Sequence, residues 1–299
     1  MSGLGLTFLR RGNLAHPTAG SDYILSENRG DPEVFRILMS KGVSSDGVGI
    51  TKDDAAKVTS IGTWFKGNTS ITSFDELVYF GITALSDSTF NGCSNFRSFT
   101  LSDKVKTIGN YVCEKCTALE RAIMPGVESI GMMAFMNTML LTEVYMPMLN
   151  KIGAKAFEGS GISGEHILED FVVPDGKGFY SCPNLISMIA PNLSSISEAM
   201  LNRCTSLLFV YVGAISSIDR YAFERSSAMT ALVINASSVP SLPYTDAFTN
   251  TSCTIYVPDS SVDAYKAASG WSTYASRIKG ISQLATDNPI FYTKIQQYL

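Results

Sequence analysis

The sequence predicts a solenoid, in which short coils of chain stack on one another with a parallel β-sheet on one side and turns or short helices on the other. Three columns of residues that recur every 22 positions predict this fold. The columns are Phe135, Phe157, Phe179, Leu201 and Phe223; Ile108, Ile130, Ile152, Ile196 and Ile218, with Pro174 in the slot between Ile152 and Ile196; and Cys116, Thr138, Ser160, Cys182, Cys204 and Ser226. Three columns in phase indicate one structural unit that stacks on copies of itself.

Each unit supplies one short strand in its second half. In Leu141–Pro147, the apolar Val144 and Met146 alternate with Tyr145, which predicts that the first two point inward and Tyr145 points outward. Proline after the strand blocks its continuation and marks a turn. One unit is too short to bury its own apolar side chains, so neighbouring units must complete the core.

The units resemble the BspA-like leucine-rich repeat family, whose members carry S-I-G-x-x-A-F-x-x-C-x-x-L-x-x-(I/V)-x-(I/L)-P repeats. The resemblance covers residues 58–258 and is clearest in Ser129–Phe135 and Lys151–Phe157. It implies a leucine-rich-repeat solenoid with a helical N-terminal cap and a strand-plus-helix C-terminal cap. It also implies binding and adhesion without catalysis, and no cofactor.

Outside the repeats the sequence divides into a leader, a helical cap, a C-terminal capping helix and a tail, at residues 1–30, 31–57, 259–282 and 283–299. Thr254–Pro258, followed by a segment with Tyr265 and Trp271, resembles the usual C-terminal end of the family. A strand with an aromatic-anchored helix would cover the last coil, which solenoids need for solubility. The tail is expected to dock elsewhere.

The helical cap is predicted to begin at Asp31 as N-cap, with Pro32 in the first turn. The segment that follows, residues 42–56, resembles an EF-hand-like or dockerin-like calcium loop. Only Asp46 and Asp54 remain as charged ligands there, and Ser44 stands at the first ligand position. We therefore predict a degenerate loop that keeps its fold without the ion, and no metal site.

The leader has its main apolar residues at Leu6, Phe8 and Leu9. It resembles the leaders on some virion and prophage proteins of gut Bacteroidales. Two interpretations stay open, an unstructured terminus and an anchoring peptide that adds to the edge or groove of a partner. Residues 1–20 lack the apolar run of a secretory signal. Either a signal was removed before residue 1 or the protein reaches its site without one, and Met1 favours the second interpretation.

Composition argues against several functions. A net charge of −4 with 17% charged residues gives no basic stripe for nucleic acid. No run of about 18 apolar residues is present, which predicts no membrane span. The two histidines, His16 and His166, lie far apart, and no phosphate-binding loop, nucleophile elbow or zinc-protease motif occurs. We predict no catalytic residue, and a local bulge around His166, where an apolar residue is expected.

The six cysteines are predicted to be structural and reduced. Cys93, Cys116, Cys182 and Cys204 stand in the column that other units fill with Thr or Ser, so the column requires a small side chain. Cys182 and Cys204 would lie about 5 Å apart at the spacing of adjacent strands, and whether they are bonded is left open.

The outward strand positions form the candidate binding surface: Ile123, Tyr145, Ile189, Phe209, Tyr211 and Val233. Contiguous exposed apolar residues mark interfaces, although β-branched and aromatic residues also simply favour strands. A second patch is possible between Met124 and Met148, where seven of the 12 methionines lie, either as core filler or as a contact surface.

Together these features predict a non-enzymatic binding or structural protein that presents a repeat surface to a protein or glycan. One placement is a phage virion, as a tail or head-decoration component that contacts other virion proteins through its N-terminus. The alternative is a cell-surface adhesin of a gut bacterium. The ligand, the host and self-association through the apolar stripe are left open.

Overall fold

The computed structural model describes residues 22–172 and 175–299. Leu6, Phe8 and Leu9 lie outside the described residues, so their predicted anchoring role stays a prediction.

The described part of the chain begins with a small cap. Its strands β1 (Tyr23–Leu25) and β2 (Ile50–Thr51) pair antiparallel, and it also contains helices α1 (Pro32–Ser40) and α2 (Lys52–Lys57). The predicted N-cap is confirmed, because one carboxylate oxygen of Asp31 accepts from the backbone N–H groups of Glu33 and Val34 at 2.9 and 3.0 Å. The other oxygen accepts from the N–H of Thr72 at 2.7 Å. Asp31 therefore joins the cap to the first coil.

The coils form three sheets, and within each sheet the strands run parallel. Successive coils contribute successive strands of a sheet. We call the first the open sheet: β3 (Ser73–Phe74), β5 (Ser98–Thr100), β7 (Arg121–Ile123) and β9 (Glu143–Tyr145). The turn-side sheet lies across the core: β4 (Ala84–Leu85), β6 (Thr107–Ile108), β8 (Ser129–Ile130) and β10 (Lys151–Ile152). The covered sheet continues the strand side: β11 (Gly164–Ile167), β12 (Leu185–Ala190), β13 (Phe209–Val212), β14 (Ala231–Ile234), β15 (Thr254–Val257) and β16 (Ile278–Gly280).

The predicted aromatic column is a buried ladder of stacked rings. Phe135 and Phe157 have ring centroids 5.2 Å apart, and Phe157 and Phe179 have them 5.3 Å apart, with planes inclined by 7° and 1°. All three side chains are buried. Because each ring fills the space between two coils, adjacent units share one continuous core, as the period predicts.

The small-residue column is a ladder of hydrogen-bond donors. The Sγ of Cys182 donates to the carbonyl of Phe157, and that of Cys204 donates to the carbonyl of Phe179, both at 3.1 Å. Ser226 Oγ donates to the carbonyl of Leu201 at 2.6 Å. Each of these three side chains satisfies a carbonyl of the aromatic column in the preceding coil. Thr138 instead donates within its own coil to the carbonyl of Phe135, and Ser160 accepts from Thr138. All six cysteines are buried free thiols.

The side opposite the strands differs from the prediction of turns or short helices. Ile108, Ile130 and Ile152 lie in two-residue strands that pair in parallel as the turn-side sheet. Gly131 allows this close approach, since a Cβ there would lie 2.6 Å from the carbonyl carbon of Gly109. Farther along the described chain this side continues as two isolated parallel bridges, Ile196 with Ile218 and Ser217 with Ser241.

Beyond β15 the chain closes the solenoid with helix α3 (Val262–Ala267) and strand β16. The Nε1–H of Trp271 donates to the carbonyl of Pro240 at 2.7 Å, and the hydroxyl of Tyr265 donates to the carbonyl of Ala236 at 3.0 Å. Helices α4 (Leu284–Asp287) and α5 (Pro289–Ile295) then run back over the strand side.

Candidate binding surface

The outward-facing residues predicted from the sequence lie next to one another on adjacent strands. In the covered sheet, Ile167 is in register with Ile189, Ile189 with Tyr211, and Tyr211 with Val233. In the open sheet, Ile123 is in register with Tyr145. The six candidate residues are split between two sheets with different surroundings.

The covered sheet does not present its column to solvent. Ile189, Tyr211 and Val233 are buried and Phe209 is half-buried, so the expectation that these four side chains form an exposed stripe is wrong. The C-terminal arm, residues 281–298, lies over them. Its own apolar side chains pack on the column and are buried there: Leu284, Phe291 and Ile295. The tail expected to dock elsewhere docks on this face.

Polar contacts hold the arm along its length. The hydroxyl of Tyr211 donates to the carbonyl of Tyr298 at 2.6 Å, and the hydroxyl of Tyr256 donates to a carboxylate oxygen of Asp287 at 2.8 Å. Lys279 pairs with the same carboxylate at 2.7 Å. Burial and the bond to Asp287 raise the pKa of Tyr256 to about 12, and the bonds from Lys279 and Tyr256 lower the pKa of Asp287.

The arm ends at the first strand of the covered sheet. Lys294 pairs with Glu165 of β11, and the hydroxyl of Tyr298 donates to Glu169 just beyond it, at 2.6 Å. The open sheet therefore lies beyond the reach of the arm's described contacts.

The open sheet keeps its outward residues accessible. Tyr145 is 46% exposed, and Ile123 is half-buried among neighbouring strand residues. Arg121, two positions before Ile123, pairs with Asp75 at 2.7 Å, and Asp75 also accepts from the hydroxyl of Thr100 at 2.8 Å. This face combines two apolar side chains with a fixed guanidinium–carboxylate pair.

A cleft of about 390 Å³ separates the two sheets on the strand side. It lies between β9 and β11, which are consecutive along this side but do not pair. The same coils remain stacked elsewhere, since the N–H of Phe135 donates to the carbonyl of Ala156 at 2.8 Å. The cleft is therefore a local opening of the strand side.

The floor of the cleft is formed by the inward residues Val144 and His166, both half-buried. The Nε2 of His166 lies 3.1 Å from the carbonyl oxygen of Ser163. Burial lowers the pKa of His166, so the ring is neutral at pH 7. The predicted bulge is confirmed, because the register of β11 shifts between Gly164 and Glu165.

Exposed apolar side chains border the cleft. Tyr145 and Ile167, at 46% and 45% exposure, project from the strands on its two sides. Met139 and Met148, at 73% and 43% exposure, come shortly before and after β9. Met124 and Met146 are buried core residues, so the methionine-rich segment contains both of the kinds of residue that the sequence left open.

Asp46 and Asp54, the charged residues of the degenerate loop, and the thiol of Cys204 make structural hydrogen bonds. Asp46 accepts from the N–H of Val48 at 2.8 Å and from Tyr23, and Asp54 closes a capping box with Thr51. Burial raises the pKa of Cys204 to about 12, so its thiol stays a protonated donor. Residues 22–172 and 175–299 contain no group of three His, Cys, Asp or Glu placed to hold a metal, and no helix fit to cross a membrane.

The fold is that of a leucine-rich-repeat solenoid. The chain belongs to the BspA type leucine rich repeat family, whose model matches six copies over residues 53–163 and 129–255. Members of this family are typically non-enzymatic binding proteins, often at the cell surface or outside the cell. No curated protein matches the chain.

Solved structures similar to this chain include three bacterial leucine-rich repeat proteins. A leucine rich repeat protein of T. pallidum is 15% identical, with a TM-score of 0.37, over 62% of this chain and 75% of that one. A leucine-rich repeat protein of Bacteroides ovatus is 15% identical, with a TM-score of 0.27, over 73% and 86%. A leucine rich cell surface protein of Faecalibacterium prausnitzii is 16% identical, with a TM-score of 0.30, over 66% and 82%.

Proposed function

We propose that this protein is a non-enzymatic binding protein whose recognition surface for a protein or glycan is the face of the open sheet. Tyr145 and Ile123 are its apolar contacts, and Arg121 lies beside them. The observation that carries the proposal is the contrast within one outward column. Tyr211 is buried by the chain's own arm, whereas Tyr145 is 46% exposed. Exposed tyrosines are frequent energetic centres of interfaces.

This proposal assigns the predicted binding residues two different partners. The arm packs on Ile189, Phe209, Tyr211 and Val233. The external ligand contacts Ile123 and Tyr145. The arm thereby reduces an apolar stripe that would otherwise extend along both sheets, since large uncovered apolar patches promote non-specific association.

The test compares Tyr145→Ala with Tyr244→Ala in the full chain, on arrays of glycans and of purified bacterial surface proteins. Tyr244 is a matched control, because it is similarly exposed, at 43%, and lies outside the open sheet. We expect Tyr145→Ala to abolish the signal and Tyr244→Ala to retain it. Equal signals from the two variants would exclude the open sheet as the recognition surface.

We propose two locations for this binding activity, each with its own support. Family membership favours a cell-surface adhesin, because such proteins are often at the cell surface. The resemblance of the leader to virion leaders favours a phage tail or head-decoration component. Antibody against the chain, applied to cells and to purified phage particles of the source culture, separates them: labelled cell surfaces support the adhesin and labelled particles support the virion component.

A further inference from the structure

We propose that the cleft between β9 and β11 receives an extended segment of another polypeptide, which pairs with both strand edges and carries a basic side chain two residues before an aromatic one. This inference deepens the proposed function, since it names the class of ligand and a site at the border of the open sheet. It rests on the proposed binding role of this face.

The first observation is the direction of the backbone groups on β9. The N–H of Glu143 donates to the carbonyl of Glu120 at 3.1 Å, and the carbonyl of Tyr145 accepts from the N–H of Met124 at 2.8 Å. Glu143 and Tyr145 thus bond toward β7. Because alternate residues of a strand direct their backbone groups to opposite sides, the N–H and carbonyl of Val144 face the cleft.

The same reasoning applies to β11. The N–H of Leu168 donates to the carbonyl of Ile189 at 2.8 Å, so the even-numbered residues of this strand bond toward β12. The backbone groups of Glu165 and Ile167 therefore face the cleft. Two strand edges with free donors and acceptors oppose each other, and such edges bind extended peptides by strand addition.

The inward side chains at the cleft are partly exposed to solvent, whereas those of the neighbouring paired strands are not. Val144 and His166 are half-buried, whereas Ala122 and Met188, the inward residues of the adjacent strands, are completely buried. An added strand would place one small apolar side chain between Val144 and the neutral ring of His166. It would thereby complete the inward layer that both neighbouring sheets possess.

The outward side chains specify the charge of the ligand. An added strand that runs parallel to β9 and β11, as the neighbouring strands do, places one residue between Glu143 and Glu165, and the residue two positions later between Tyr145 and Ile167. Glu143 makes no ion pair in the described part of the chain, and Glu165 already binds the ammonium of Lys294 from the arm. A basic residue followed two positions later by an aromatic one matches both pairs, and the net charge of −4 favours a cationic ligand.

The experiment measures binding of a fluorescent peptide, Thr-Val-Lys-Val-Phe-Val-Thr, to the full chain by anisotropy. Three changes should each raise the dissociation constant by about tenfold or more, the effect of removing one hydrogen bond or charge contact. They are Glu in place of the peptide lysine, N-methylation of the central valine, and Glu143→Lys in the protein. Glu128→Lys is the matched control, because Glu128 is an exposed ion-paired acid away from the cleft and should leave binding unchanged.

Hydrogen exchange gives an independent readout of strand pairing. The amides of Val144, Glu165 and Ile167 should exchange rapidly in the free protein and slow at least tenfold with peptide, while that of Glu143 stays unchanged. Undiminished affinity of the N-methylated peptide, or slow exchange of these amides without any peptide, would overturn the inference. Either result would leave the Tyr145→Ala test of the open sheet standing, so the two proposals fail separately.

Discussion

The ring of Phe291 stacks on the ring of Phe209, with centroids 4.7 Å apart and planes inclined by 17°. This contact joins the arm to the outward face of β13 and belongs to an apolar cluster separate from the solenoid core. The arm is therefore a second layer on the covered sheet, and its docking depends on a small number of side chains.

Replacing Phe291 by Ala should release the arm while the coils remain folded. Phe291 is fully buried, and truncating a buried phenylalanine costs about 3–5 kcal/mol. We expect rapid proteolysis within residues 281–298 and increased binding of a hydrophobic dye, with little change in circular dichroism. Ile290→Ala is the matched control, since Ile290 is 71% exposed on the same helix. Equal protease resistance of the two variants would contradict this account.

Docking of the arm should weaken at high pH. Contacts with Asp287 and Glu169, together with burial, raise the pKa values of Tyr256 and Tyr298 to about 12. A free tyrosine ionises near pH 10. Between these values Tyr298 of a detached arm and the uncovered Tyr256 of β15 release protons that both retain in the docked state. The stabilisation is complete below pH 10 and is lost as the pH rises through about 12. Protease sensitivity of the arm against pH measures this loss.

Tyr298→Phe provides the control for the pH dependence. It removes the hydroxyl that bonds Glu169 while keeping the ring beside Tyr211. The pH dependence of arm release should become shallower in this variant. An unchanged profile would show that Tyr298 does not contribute.

Periodicity predicts the solenoid because each inward position must fill the same space in every coil. Phe157 could be assigned to the core and Cys182 to a column of small side chains in this way, and both side chains are buried as expected. The hydrogen bond that Cys182 donates was not predicted. The turn-side sheet was missed because a two-residue strand such as Ser129–Ile130 carries no alternation to detect. Its signal was the glycine that follows Ile108, Ile130 and Ile152, where two backbones approach closely.

The docking of the arm was not predictable from period or pattern. Residues 281–298 do not repeat, so nothing in them specifies which coil they contact. The outward apolar column was itself the available signal: Ile189, Tyr211 and Val233 are apolar on a face that usually carries polar residues. That pattern indicates a covering element without saying whether it belongs to the same chain. The one sequence feature that indicated the cleft was His166, a histidine at an inward position where an apolar residue is expected.

The donor ladder predicts different outcomes for two substitutions at one buried site. Cys204→Val introduces an apolar side chain that is larger by about one methyl group and leaves the carbonyl of Phe179 without the thiol donor. The two effects together should lower the free energy of unfolding by about 1–3 kcal/mol. Cys204→Ser retains a donor, as Ser226 does in its own coil, and should cost less. Urea denaturation of both variants measures the difference. A more stable Val variant would show that the column selects for volume alone.

The close approach of coils on the turn side makes Gly131 a test of the turn-side sheet. In Gly131→Ala the new Cβ would lie 2.6 Å from the carbonyl carbon of Gly109, in backbone that two coils share. Strands β6 and β8 must then separate, and overpacking of this kind costs about 1–3 kcal/mol. Gly176→Ala is the matched control, because its Cβ would have its nearest neighbour, the carbonyl oxygen of Glu198, at 3.7 Å. Thermal unfolding should show a lower midpoint for Gly131→Ala than for Gly176→Ala. Equal midpoints would mean that the coils can separate on this side at no cost, and the two-residue strands would then contribute little to the stability of the solenoid.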